Sequence, residues 1–85
     1  MTNVILISED NHGTIGVATT TEAAKKWLIE TGWVASYSEL WMPHLDEAPA
    51  LFDLYGEKWE EEYMKFDAEQ MENLGFFFKK VELIE

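Results

Sequence analysis

The run Val4-Ile5-Leu6-Ile7 constrains the fold of this chain more than any other stretch. It is rich in β-branched residues and apolar at four consecutive positions, so it predicts a strand that is buried on both faces. Such a strand needs a neighbour on each side, and we expect it to lie at the centre of a sheet. Residues 14–19 alternate between apolar and small or polar side chains and predict a second strand.

The letters SEDNHGTIG connect these two strands and allow two interpretations. An Asn and a Gly tolerate positive φ, which a tight hairpin requires, so Glu9–Gly13 predicts an exposed turn between antiparallel strands. Alternatively, His12 stands beside the carboxylates of Glu9 and Asp10, and a histidine in that setting can serve as a general base or a metal ligand. We favour the turn and expect that His12 is not a ligand.

Capping signals and apolar spacing predict the first helix. Thr19–Glu22 fits a capping box, the helix should run from about Thr20 to Thr31, and a following glycine supplies a left-handed stop. Trp27 and Leu28 should pack against the sheet.

The second half reads as a series of short helices. Asp46 is expected to cap a helix through Tyr55, and Glu57–Phe66 continues with helical period. Asp67–Gln70 forms another capping box, which opens a short helix through Leu74. Residues 35–43 alternate in polarity without a clear signal, and a strand there remains open.

Phe76–Ile84 predicts a last strand that pairs with the hairpin. Strands on both sides of a helical block predict a single α+β domain over residues 1–85: a small, mostly antiparallel sheet, made of the hairpin and the C-terminal strand, with three to four helices packed on it. Three consecutive phenylalanines in the last strand must point to both faces. We expect helices to cover both faces; otherwise one phenylalanine is exposed and marks an interface.

Charge limits the range of partners. Seventeen acidic residues face six lysines, arginine is absent, and the formal net charge is −11. Such a chain repels phosphate, so nucleic acid and anionic membranes are disfavoured and a basic protein partner is favoured. The simpler alternative is that the charge only keeps the protein soluble. The absence of cysteine excludes disulfides, and together with the lack of a signal peptide it predicts a cytoplasmic protein.

The densest acidic region is the predicted partner-binding face. Carboxylates on successive helical turns can imitate a row of phosphates, although a solvated helix face has the same pattern. The residues of this acidic face are Glu57, Glu60, Glu61, Glu62, Asp67, Glu69 and Glu72.

Chemistry-bearing motifs are sparse. His12 and His44, each near carboxylates, could together hold a metal, but no established ligand spacing is present. No serine lies in a nucleophile elbow motif, and no glycine-rich loop that could bind phosphate directly precedes a helix. We therefore expect no enzymatic activity and no cofactor, with a metal-binding protein or small metal-dependent enzyme as the alternative.

The stretches SEDNHGTIGVA and TEAAKKWLIETGW give the chain a resemblance to a known group. Over roughly the first 35 residues, the span of one ββα unit, it resembles small uncharacterised proteins encoded by phages and prophages of Gram-positive bacteria. The resemblance implies an accessory protein inside an infected bacterial host cell, and small acidic phage proteins include inhibitors of CRISPR and restriction enzymes. The expected function is thus an inhibitor that occupies a basic surface; a homodimeric structural accessory of a phage module is the other alternative.

Overall fold

A three-stranded antiparallel sheet organises the molecule. The computed structural model describes residues 2–84. Strand β1 spans Thr2–Glu9, β2 spans Gly13–Ala18 and β3 spans Phe76–Leu83. The strand order is β2-β1-β3, so the apolar run lies in the central strand and the last strand pairs with the first. The predicted α+β class, with a sheet made from a hairpin and the last strand, is confirmed.

The helical segments all lie between β2 and β3 in the chain. Helix α1 spans Thr21–Glu30. Helix α2 (Leu51–Tyr55) passes through a 3-10 turn (Gly56–Lys58) into α3 (Trp59–Met64), and α4 spans Ala68–Leu74. The 3-10 turn forms because Gly56 adopts a φ of +62°, which interrupts the regular helix.

The core lies on one face of the sheet. Ile5 and Ile7 of β1 point towards the helices, and Phe76 of β3 joins them. The helical side of this core is Leu28, Val34, Leu51, Tyr63 and Met71.

The opposite face of the sheet carries Phe77, which is 40% exposed, and Val17, which is 59% exposed. The expectation that helices cover both faces is therefore wrong. Buried residues of all four helices belong to the core on the other face, so the segment between β2 and β3 supplies one helical layer.

The caps of α1 and α4 show how local signals translate into structure. The Thr20 hydroxyl accepts the Ala23 N–H at 3.0 Å, so the N-cap of α1 lies one residue later than Thr19. The Glu22 carboxylate consequently pairs with Lys26 at 3.6 Å instead of reaching back. The capping box of α4 is confirmed as predicted, with two reciprocal hydrogen bonds of 2.9 and 3.0 Å between Asp67 and Gln70.

The segment of residues 36–52, here called the 36–52 loop, is an irregular hairpin. Backbone hydrogen bonds join its two sides, including Leu40 N–H to the Pro49 carbonyl and Met42 N–H to the Glu47 carbonyl. It contains two isolated β-bridges and no regular strand, so residues 35–43 do not form the strand that the sequence left open.

The predicted cap at Asp46 is wrong. Asp46 sits in a turn with a φ of +54°, and α2 begins only at Leu51. Pro49 gives the reason, because the residue before a proline is disfavoured in helical conformation.

A buried lysine joins the helices. The Lys25 ammonium of α1 donates to the carbonyl oxygens of Met64, at 3.0 Å, and of Phe66, at 2.5 Å. In return, the buried Tyr63 hydroxyl donates to the Lys25 carbonyl at 2.9 Å. Burial lowers the pKa of Lys25, an effect that the nearby carboxylate of Asp67 partly opposes. We call this arrangement the Lys25–Tyr63 clamp.

The clamp should make a measurable contribution to stability. Tyr63→Phe removes one buried hydrogen bond while preserving the ring, and we expect a loss of about 1 kcal/mol in the free energy of unfolding. For a domain of this size, that loss lowers the Tm by roughly 4–8 °C in a circular dichroism melt. Tyr37→Phe is the matched control, because Tyr37 is 76% exposed. Equal melting temperatures for the two variants would contradict the clamp.

Trp27 fixes the position of α1 on β2. Its indole lies over Gly16 so closely that a Cβ built at Gly16 would be 2.8 Å from the Trp27 Cη2 atom. Leu28 is fully buried, as expected, whereas Trp27 remains half-buried.

A double-mutant cycle tests this contact. Gly16→Ala should destabilise the protein by about 1 kcal/mol, because the indole must move. In a Trp27→Ala background the same change should be neutral or stabilising, since alanine loses less conformational entropy in a strand than glycine does. Denaturant unfolding measures both values. A Gly16→Ala effect that is the same in both backgrounds would show that the indole does not require the glycine.

Candidate functional site

The predicted acidic face lies on the 3-10 turn, α3 and α4. On the first two elements its exposed members are Glu57 and, three and four residues later and thus one helical turn along, Glu60 and Glu61. Glu69 and Glu72 are likewise one turn apart and exposed on α4. Residues at this spacing are neighbours on a helix surface, with Cβ atoms about 5–6 Å apart. The helices therefore present five carboxylates to solvent in two rows.

Two members of the acidic face have local structural partners. Glu62 is half-buried and forms an ion pair with Lys65 at 3.5 Å. The Asp67 carboxylate caps α4 by accepting the Gln70 N–H. These two side chains are consequently less available to an external partner than the five exposed glutamates.

Most of the negative charge has no cation beside it. Within residues 2–84, the ion pairs join only Glu9, Glu22 and Glu62 to a basic side chain. Lys25 is directed into the core, where it binds carbonyl oxygens. Lys65 pairs with Glu62, and the exposed Lys58 of the 3-10 turn forms no ion pair within residues 2–84, so negative charge remains in excess on α3 and α4 and its field extends into solvent.

A cleft separates the 36–52 loop from α4. It has a volume of about 400 Å³, and Trp41 and His44 line one side while Asp67 and Glu69 line the other. The backbone N–H of Trp41 donates to the backbone carbonyl of Asn73 at 3.0 Å, which holds the loop against α4. The acidic row of α4 therefore borders a partly exposed indole.

The 36–52 loop also exposes large apolar side chains. Alternation along its first side places Leu40 in the core and the residues on either side of it outward. The excess of aromatic residues in the sequence signals that some of them are exposed, but it does not identify which. The exposed apolar residues of the loop are Tyr37, Trp41, Leu45 and Phe52.

The hairpin turn forms a second polar arrangement. The Glu9 carboxylate accepts the Asn11 N–H at 2.8 Å and lies 3.2 Å from the His12 Nδ1 atom. The imidazole edge meets the Trp33 ring at a centroid distance of 5.2 Å. The backbone N–H of Asn11 lowers the pKa of Glu9, and His12 contributes in the same direction. The predicted turn is confirmed, although the Glu9 side chain is only 11% exposed.

The structure does not bring the two histidines into one site. His12 lines a cleft of about 470 Å³ beside the hairpin turn, whereas His44 lines the cleft beside α4. Among residues 2–84, no group of three or more His, Asp or Glu side chains is arranged to hold a metal ion. That His12 is not a ligand stays a prediction.

Comparison with known proteins found no matching family model, no similar curated protein and no similar solved structure. In the described part of the chain, no helix combines the length and the apolar character that crossing a bilayer requires.

The lowered pKa of Glu9 predicts a pH-dependent contribution to stability. The folded pKa lies below the unfolded one, so the stabilisation is present at neutral pH and is lost as pH falls through the folded pKa. The stability difference between the native chain and Glu9→Gln should therefore be largest above about pH 5 and should shrink at lower pH. Denaturant unfolding at several pH values measures it. Glu30→Gln, at an exposed position, serves as control, and the same pH profile for both variants would contradict the assignment.

Proposed function

We propose that the chain is a non-enzymatic binding protein whose acidic face engages a basic surface on another protein. The observation that carries the proposal is the set of five exposed glutamates without an ion-pair partner among the described residues on the 3-10 turn, α3 and α4, one of which, Glu69, lines a cleft together with Trp41. Lysine and arginine side chains that normally bind phosphates can bind carboxylates instead. The partner class is thus a protein that handles nucleic acid.

Charge and aromatic surface have different roles in this proposal. Carboxylate rows accelerate association with a basic partner, and that effect weakens as salt rises. Trp41 offers a ring face to a cationic side chain, and exposed aromatics are enriched among the residues that dominate binding energy. Their proximity at the cleft supports a binding surface in preference to a merely solvated face.

The resemblance to phage and prophage proteins suggests the biological setting. We propose that the protein acts in the cytoplasm of a bacterial host cell and inhibits a nucleic-acid-processing enzyme, as anti-CRISPR and anti-restriction proteins do. A metal-binding protein that uses both histidines is less well supported, because His12 and His44 line different clefts.

Inhibition of DNA cleavage tests the proposal. With a panel of purified restriction endonucleases and CRISPR effector nucleases, the chain should inhibit at least one enzyme, and added DNA should relieve the inhibition. Replacing Glu60, Glu61, Glu69 and Glu72 with Gln should weaken it at least about fourfold at low salt, since four ion pairs of about 0.2–1 kcal/mol each are lost.

A charge-matched variant separates local from global effects. Asp10→Asn combined with Gln at Glu22, Glu30 and Glu39 removes the same number of charges from other surfaces. It should change inhibition less than threefold. Equal effects of the two variants would assign the interaction to net charge alone, and inhibition that DNA does not relieve would contradict competition for a basic groove.

A further inference from the structure

Strand β3 has one free side. It pairs with β1 along its whole length without a register shift. Among residues 2–84, no backbone hydrogen bond joins its other side to another segment. An unpaired edge of this kind presents N–H and C=O groups that can continue the sheet with another strand.

The composition of β3 differs from that of the rest of the molecule. Its charged residues are Lys79, Lys80 and Glu82, so the strand carries a net positive charge in a chain whose net charge is −11. Leu83 is 48% exposed, and the following Ile84 is 91% exposed. The strand thus combines an unpaired backbone, uncovered apolar side chains and a charge opposite to that of the remaining surface.

We propose that β3 pairs antiparallel with β3 of a second copy of this chain, with Val81 opposite Val81. Directly opposed residues in an antiparallel pair point to the same face of the sheet. Odd-numbered and even-numbered residues of β3 point to opposite faces of the sheet. The helical layers of both copies therefore lie on the same side only if odd-numbered residues pair with odd-numbered ones and even with even. The two-fold axis must therefore pass midway between the two copies of one residue, giving a continuous six-stranded sheet.

Charge selects among the registers that satisfy this condition. A centre at Lys79 or at Lys80 places identical ammonium groups opposite each other, which is destabilising. A centre at Val81 instead places Lys80 opposite Glu82 of the second copy, and does so twice by symmetry. The same register sets the exposed Ile84 opposite Phe78 of the second copy, which is half-buried and packed against its own core.

The proposal is independent of the acidic face. Lys80 and Glu82 lie opposite Ile5 and Asn3 within their own chain, so their charges have no ionic partner across β1. Long-range repulsion between two acidic copies is screened over about 8 Å at physiological salt, which leaves short-range pairing at the strand effective.

Cysteine cross-linking tests the register, because the chain contains no cysteine. In Val81→Cys, the two Cα atoms would lie about 4.5–5.5 Å apart, within the range of a disulfide. In Lys79→Cys, the two positions would be four residues apart along the pair, or about 13 Å, which is too far. Mild oxidation should give a covalent dimer for Val81→Cys and at least tenfold less for Lys79→Cys. Equal yields would overturn the register.

Charge exchange tests the interaction without cysteine. In sedimentation equilibrium of the 85-residue chain at 0.15 M NaCl and up to millimolar concentration, we expect a reversible dimer. Lys80→Glu or Glu82→Lys should raise the dimer Kd at least tenfold, and the double exchange should restore it to within threefold. Lys58→Glu, which makes the same change in net charge as Lys80→Glu but on the 3-10 turn, should have less than a threefold effect. A monomer at all concentrations would overturn the proposal and would indicate that the lysines prevent the edge strand from pairing with other chains. Failure of the double exchange to restore the dimer would also overturn it.

Discussion

The helical layer depends on a charged group held inside the protein. Burial of an ammonium is costly unless its donors are satisfied, and Lys25 meets that requirement with the carbonyl oxygens of Met64 and Phe66. The Met64 oxygen belongs to the last residue of α3 and the Phe66 oxygen lies two residues beyond it, at the C-terminal end, where a helix has unpaired acceptors and a favourable field for a cation. Helices of five to seven residues have little stability of their own. The clamp, with the core around Tyr63, provides the tertiary support that they need.

The same use of Lys25 shapes the electrostatics of the surface. A lysine that serves the core cannot neutralise a surface carboxylate. Of the other lysines, Lys79 and Lys80 lie on β3, and of the two that flank α3, only Lys65 forms an ion pair among the described residues. The two rows of glutamates are therefore left exposed while the sheet edge gains positive charge. The stability of the helical layer and the uneven charge of the surface follow in part from the same placement of a few cations.

Local signals in the sequence predicted the fold well where the structure uses local interactions. The capping box at Asp67 and Gln70 and the apolar run of β1 both specify their surroundings within a few residues. The cap expected at Asp46 failed because Pro49 prevents a helix from starting there. That the helices cover only one face of the sheet was not predictable, because it depends on how the helices pack after they form.

The candidate site was predictable only in part. The acidic residues and the excess of aromatics are visible in the sequence, whereas the position of Trp41 beside α4 depends on a backbone hydrogen bond to Asn73. The clamp left no sequence signal either, since its partners are 38 to 41 positions apart. Interactions over such separations cannot be inferred from spacing in a single sequence.

The pairing of β1 with β3 has a consequence for how the chain folds. Thr2 lies opposite Leu83, so the central strand acquires its second neighbour only after every other described element has been synthesised. Closing so long a loop has a high entropic cost before any contact compensates for it, and long-range strand pairing is slow for that reason. During that interval, the side of β1 that later binds β3 is an open, apolar edge. This interval is when the chain is most exposed to aggregation, and the rate at which β3 docks sets how long it lasts.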